Sequence, residues 1–447
     1  MDAAATLMQT VTFRDLRHVA PLPPDLLLRT EADLRRYVGP VQDIIDEVRR
    51  NGDASLVRYA REFDHVLPAA FELTVGAAEF DAAEAALDPE VLDAIRYAAE
   101  NIRRFHSAQK PPPIAWMEVQ PGAFAADRFV PIDSVACYVP RGKGSFPSVV
   151  LMTAIPAVVA GVPNLCIITP PGPDGRVDAA TLVAARIAGV TRIYKCGGAQ
   201  GVAAVAYGTQ TVPRCEKIIG PGSPWVVTAK RLLRDVIDPG VPAGPSECII
   251  LADDSSDAHS AALDLIIESE HGPDSSAYLV TPCESLARAV ATFLPRLWAD
   301  MEPQRAQFSR AVLCGPRGGI LLVRDLDTAL GFVNDYAPEH LEVMTRGPMG
   351  LLDRIRNAGE ILLGAHTPVT LGNFVLGPNA VLPTNRSART ASPLSVQDFL
   401  KRSSVGYVTP EGFGALARHA LVLARYEGFD GHARALSERG QVPAINV

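Results

Sequence analysis

The stretch ESEHGPDSS, residues 268–276, sets Glu268 and His271 three residues apart at the end of an apolar run, AALDLII, and then breaks at Gly272 and Pro273. The run reads as a helix with Leu263, Ile266 and Ile267 on one side, and the three-residue spacing projects the carboxylate and the imidazole from one face of its last turn. Two chemistries suit such a pair. In the first, the histidine meets the negative end of the helix dipole and the acid stays in water; for the stretch alone this carries more weight. In the second, the pair is part of a catalytic metal site, since zinc takes nitrogen and oxygen ligands and would need more of them from elsewhere in the chain.

Glycine-rich turns after strands are the usual seats of phosphates. Three occur: PRGKGSFPS (140–148), GGAQG (197–201) and GPGSPW (220–225). None is G-x-G-x-x-G, and tight-turn glycine explains each one singly. Together, each following a strand and opening a helix, they make a nucleotide crevice plausible.

The elements that must position these groups follow from periodicity. Helical segments are expected at 40–62, interrupted near Gly52 and Asp53, and at 89–109. From residue 135 short β-branched runs (SVACYVP, LCIITP, RIYKCGG, KIIGPG) alternate with alanine-rich helices at 147–161, 178–189, 200–207 and 224–235. That alternation implies a parallel sheet covered on both faces. A second strand set is expected at CIILAD, AYLVTP, AVLCG (311–315) and GILLV, with a helix at 258–271 and a tail mostly helical from 411.

Composition narrows the class. The chain has 447 residues, 48% hydrophobic and 21% charged, with a net charge of −8, so more than one domain is expected. No block of basic residues suggests nucleic-acid binding. Seven scattered cysteines without a C-x-x-C pair suit buried thiols in a reducing compartment. The N-terminus lacks the order of a signal peptide, and the uncharged stretch 144–173 is broken by Pro156, Gly161, Pro163 and Asn164. The expectation is a soluble, cytoplasmic protein that neither spans a membrane nor binds nucleic acid.

Read with AGPSE (243–247), YAPEHLE (336–342), GNFVLGPNAVLPT (372–384) and YEGFDGH (426–432), these turns and the EHGPDS segment resemble the histidinol dehydrogenase family in unbroken order from about residue 30 to the C-terminus. The resemblance implies an α/β fold of two incomplete Rossmann-like domains with parallel sheets, N-terminal helices and a C-terminal swapped helical tail. The implied boundaries are an arm at 1–25, a metal and substrate domain at 26–134 and 246–385, an NAD-binding domain at 135–245 and a dimer-swapped tail at 386–447. It implies a homodimeric zinc enzyme that oxidises an amino alcohol with NAD to the aldehyde and then the acid.

Carried onto this chain, the resemblance places NAD at Tyr138, Gln200 and Ser223, the last replacing the family's usual asparagine. Ser246 and Glu427 face substrate, His340 acts as base and Glu339 activates water. The zinc positions read Glu268, His271, Asn373 and His432, with amide and carboxylate exchanged relative to the family, which leaves one negative charge and four donors. Two substrate-gripping positions, a glutamate and a histidine in the family, are Val369 and Ala380. A site that loses hydrogen-bonding partners loses discrimination steeply, by about four orders of magnitude in strong cases. A hydroxy substrate other than histidinol is therefore expected, in a pocket lined by Val369, Ala380, Phe374, Phe146 and Trp225. Arg141, Lys143 and His366 have no assigned role. A histidinol dehydrogenase with a rebuilt pocket and a non-catalytic ligand-binding relative are the competing readings.

Overall fold

The computed structural model describes residues 10–29, 34–141 and 144–439. Lys143, the beginning of the N-terminal arm and the end of the tail lie outside the described residues. The strands are β1 (Phe13–Asp15), β2 (Ile114–Gln120), β3 (Ala123–Pro131), β4 (Ser134–Tyr138), β5 (Asn164–Ile168), β6 (Ile193–Tyr194) and β7 (Lys217–Ile219). There follow β8 (Glu247–Ala252), β9 (Ser276–Thr281), β10 (Gly318–Leu322), β11 (His340–Met344), β12 (Glu360–Leu363) and β13 (Leu400–Val408). The chain divides into two compact units, Met1–Gln109 with Ile132–Phe399, and Lys110–Pro131 with Leu400–Val447.

The larger unit holds two parallel sheets. The first has the order β6-β5-β4-β7. Its strands are runs of Val, Ile and Cys buried on both faces, as a helix-covered parallel sheet requires. Helices Arg35–Asn51, Asp53–Phe63, Gly198–Tyr207 and Pro224–Leu232 share one core with Ala136, Tyr138, Ile168 and Ile218. The second sheet has the order β1-β10-β9-β8-β11-β12 and carries a separate apolar core on each face. Helix Ala258–Ser269 packs on it, its start fixed by the Asp257 side chain accepting from Ser260 N.

The smaller unit is an antiparallel sheet, β13-β3-β2, with helices Pro410–Tyr426 and Asp430–Ser437. Trp116, Met117, Val119, Tyr407, Val422, Leu423 and Tyr426 on its elements are all more than half exposed.

Several expectations need correcting. AVLCG is the end of helix Pro303–Leu313 and its following turn: Pro303 and the Glu302 cap start the helix, and Ala306, Ser309, Val312 and Leu313 bury one helical face. The tail contains a nine-residue strand, β13, and β2 and β3 add strands where none was expected; β2 and β13 are exposed along nearly their whole length and β3 is only partly buried, so none of them is a buried apolar run. Residues 35–63 pack on the four-stranded sheet rather than with the metal and substrate domain, because Val41, Ile44, Ile45 and Tyr59 complete that core. Phe13–Asp15 pairs with β10, so this part of the arm is an edge strand of the six-stranded sheet. Leu263 is exposed, since the buried face of its helix runs through Ala261, Ala262, Leu265, Ile266, Glu268 and Ser269.

Candidate active site

Three neighbouring strands of the six-stranded sheet begin with ionisable residues: Glu247 on β8, His340 on β11 and Glu360 on β12. In the parallel register His340 stands between Cys248 and Glu360. Glu339 immediately precedes β11, and Glu268 arrives from the last turn of helix Ala258–Ser269. His340 Nδ1 donates to Glu360 Oε2 (2.9 Å). Its Nε2 lies 3.9 Å from Glu268 Oε1 and 4.0 Å from Glu339 Oε1. The His340 and Glu268 side chains are 2% and 1% exposed. Glu247 N donates to Glu339 Oε2 (3.0 Å), while the Arg29 guanidinium bonds Glu247 (2.7 Å) and stacks over Tyr336.

Burial would strip the proton from His340, yet Glu268, the hydrogen bond to Glu360 and Glu339 outweigh it and push the ring up to about 9. Burial likewise pushes Glu339 up to about 8, despite His340 beside it. Glu268 is equally buried but is held below its ordinary value by His271 and His340 and by hydrogen bonds from Asn373 and Ser246. One ionised carboxylate, one protonated carboxyl and one imidazole therefore meet at a single point, an arrangement suited to moving protons.

Glu360 was absent from the sequence-derived site. Its signal is a carboxylate opening an apolar strand run, GEILL, and only the β11–β12 register shows that it faces His340. Gly372 makes room for it: a Cβ there would stand 2.6 Å from Glu360 Oε1.

Of the four expected metal positions, three converge. Asn373 Nδ2 donates to Glu268 Oε1 (2.9 Å), and His271 Nδ1 lies 3.4 Å from Glu268 Oε2. His271 Nδ1 also donates to Ile267 O (3.0 Å). His432 and Glu427 are exposed residues of the smaller unit. Ser246 precedes β8 and bonds Glu268. Val369 is wholly buried in the core of the six-stranded sheet and presents no surface to a substrate, contrary to expectation. Ala380 is partly buried, Phe374 is half exposed, and His366 is exposed.

In the four-stranded sheet the strand order reverses between β4 and β7, where an open α/β sheet forms its ligand crevice at the carboxyl ends of the strands. The turns after these two strands flank it. Tyr138 ends β4, and its hydroxyl accepts from Gly198 N (3.3 Å) at the start of the helix carrying the buried Gln200. Ser223 is the N-cap residue of helix Pro224–Leu232. Gly220, at φ 127°, allows its turn to pass against Tyr138 O, which a Cβ would strike at 2.1 Å.

The family model for histidinol dehydrogenase matches residues 27–440. The chain belongs to the histidinol dehydrogenase family. It is 59% identical to "Histidinol dehydrogenase homolog 2" of Mesorhizobium japonicum, covering 96% of this chain and 98% of that one. It is 47% identical to the histidinol dehydrogenase of Synechocystis sp., covering 95% and 98%. The crystal structure of histidinol dehydrogenase from Elizabethkingia anophelis superposes with a TM-score of 0.90 at 29% identity, over 96% of this chain and 98% of that one. The family consists of NAD-dependent oxidoreductases acting on CH–OH groups that use NAD and zinc, and its members are dimers acting on small molecules. No helix among the described residues is long and apolar enough to cross a membrane.

The cluster fits a divalent cation. Glu268 supplies a buried carboxylate, His271 an imidazole and Asn373 an amide that must turn its oxygen inward, a mixed N/O set suited to zinc.

Proposed function

We propose that this protein is a zinc- and NAD-dependent dehydrogenase that oxidises the hydroxyl of a small molecule other than histidinol, through the aldehyde to the acid. The observation that carries the reading is His340, held by Glu360 at Nδ1 and facing Glu268 and Glu339 with Nε2. The metal is held by Glu268, His271, Asn373 and, from the partner's tail, His432. When bound, zinc eases loss of the substrate's hydroxyl proton and, by engaging Glu268, offsets the charge that otherwise keeps His340 protonated.

His340 Nε2 is placed to take the proton of the substrate's hydroxyl oxygen, and NAD, when bound, would accept the hydride from the carbon that bears it. Glu360 keeps the imidazole oriented during the transfer. Glu339 handles the proton of the water that adds to the aldehyde before the second hydride leaves. Ser246 and, from the partner's tail, Glu427 contact the substrate, while Tyr138, Gln200 and Ser223 line the cofactor crevice.

The departure from histidinol is supported by Val369. A carboxylate there would be buried in the apolar core on one face of the six-stranded sheet, so the position has joined the core and no longer offers a polar grip. Ala380 offers none either. Relatives more alike than the Synechocystis enzyme carry the name histidinol dehydrogenase homolog, which accords with divergence.

Steady-state assays of the full chain against a panel of hydroxy compounds test the reading. NADH formation with at least one, abolished in His340→Ala, is expected; no NADH from any compound by metal-loaded protein would defeat it. Elemental analysis of protein purified without added metal should find about one zinc per subunit. Activity that survives complete removal of the metal would overturn the zinc assignment.

A further inference from the structure

Asp64 has a feature the mechanism leaves unused. It caps the end of helix Asp53–Phe63, its Oδ2 is fully buried, and among the described residues no hydrogen-bond donor reaches that oxygen. A buried carboxylate oxygen without a donor is costly, and burial pushes the Asp64 carboxyl up to about 6 against the opposing pull of Arg141. The next residue, His65, is held at φ 58°, a strained conformation for a residue with a side chain. The chain accepts an orphaned acceptor and a strained turn side by side.

The position of that turn gives them a meaning. Leu67 N donates to Pro173 O (2.9 Å), and Val66, Pro68 and Phe71 pack around Gly175, which pins residues 64–71 to the loop leaving β5. Arg141, just past β4, donates to Pro171 O (2.8 Å) in the same loop. Burial pushes the Tyr138 hydroxyl and the Cys196 thiol up, and Asp64 is close enough to both to add to that push. It therefore stands over the carboxyl ends of β4, β5 and β6, beside the reversal of strand order.

In dinucleotide-binding sheets an acid near the end of the second strand accepts from the adenosine ribose. Here β4 is the first strand and β5 the second. The end of β5, Thr169-Pro170-Pro171, carries no acid, and Asp174 further on accepts from Arg176 N (3.1 Å) to close its own turn. Helix Asp53–Phe63 brings an acid to the place the strand leaves without one.

We propose that Asp64 accepts hydrogen bonds from the adenosine-ribose hydroxyls of NAD and makes the crevice select NAD over its 2′-phosphorylated form. The inference rests on the reading of the four-stranded sheet as the NAD site. Asp64 as a residue is partly exposed, so its carboxyl group can accept from the ribose hydroxyls, and a 2′-phosphate brought to the same place meets a carboxylate at close range.

The test is calorimetric binding of NAD, NADP and NAD carrying 2′-deoxyadenosine or 3′-deoxyadenosine to the full-length protein and to Asp64→Ala. Wild type should bind at least one deoxy form about 10- to 100-fold more weakly than NAD, the range of a hydrogen bond to a charged group. In Asp64→Ala that penalty should fall to about 3-fold or less, and the preference for NAD over NADP should shrink. Because the analogue series on wild type is decisive by itself, a variant that fails to fold does not rescue the idea. Wild-type affinities that ignore both hydroxyls would overturn this inference alone, whereas no binding of any dinucleotide would overturn the cofactor reading and this inference with it.

Discussion

His340 depends on a carboxylate that reaches it only because a glycine lies opposite. Glu360→Gln keeps the shape but replaces the charged acceptor of Nδ1–H, and turnover should fall on the order of 100-fold with KM little changed. Gly372→Ala is the subtler change, since the new methyl would displace the end of the flexible Glu360 side chain. Turnover should fall about 10-fold or more while the melting temperature moves little, measured by NADH formation and thermal denaturation. Equal turnover in both variants and wild type would remove Glu360 from the mechanism. Part of this scale was legible through the family resemblance, which implied that Glu268, His271 and Asn373 share a site; their side chains lie together. Glu360 was not, because its partner lies twenty residues away and only strand register joins them. Val369 was misread as lining because a substitution at a pocket position does not reveal whether the new side chain turns into the core.

Beneath the site, helix Ala258–Ser269 and strand β11 bury a second acid pair. Glu342 is fully buried, no N–H or O–H of another described residue reaches its oxygens, and Asp264 faces it. Burial and Asp264 push Glu342 up to about 10 from an ordinary 4.5, so the folded state favours its protonated form. That contribution is complete below the unfolded value and is lost as pH rises toward the folded one. Glu342→Gln retains the shape without the ionisation. Its melting temperature relative to wild type should climb as pH rises from about 6 to about 9, and a constant difference across that range would contradict the pairing. Continuous apolar strands and the helices between them were legible as elements, down to the break at Gly52. The strands β2, β3 and β13 were not, because β2 and β13 are exposed along nearly their whole length and β3 is only partly buried, so no buried face marks them as strands. AVLCG misled because a short apolar run fits a strand or a buried helix end equally well.

At the scale of the molecule, the smaller unit leaves the large apolar side chains of Trp116, Met117, Tyr407, Leu423 and Tyr426 each more than half exposed, a surface suited to a partner. We expect a partner subunit to cover it in a homodimer whose swapped tail delivers His432 to the other chain's Glu268 and His271. Co-expressing His271→Ala with His432→Ala tests this, since a heterodimer then contains one site with both histidines. Activity should return to about one quarter to one half of wild type per heterodimer, and none from verified heterodimers would rule out the swap. The family resemblance implied the tail but not its strand, and a chain cannot announce from its own pattern what a second copy covers.

The most direct measurement is kcat/KM for L-histidinol against the best hydroxy substrate from the panel, on the same zinc-loaded protein with saturating NAD. With Val369 in the core and Ala380 without a polar group, the account predicts a value for histidinol lower by about three orders of magnitude or more; comparable values for the two compounds would contradict it.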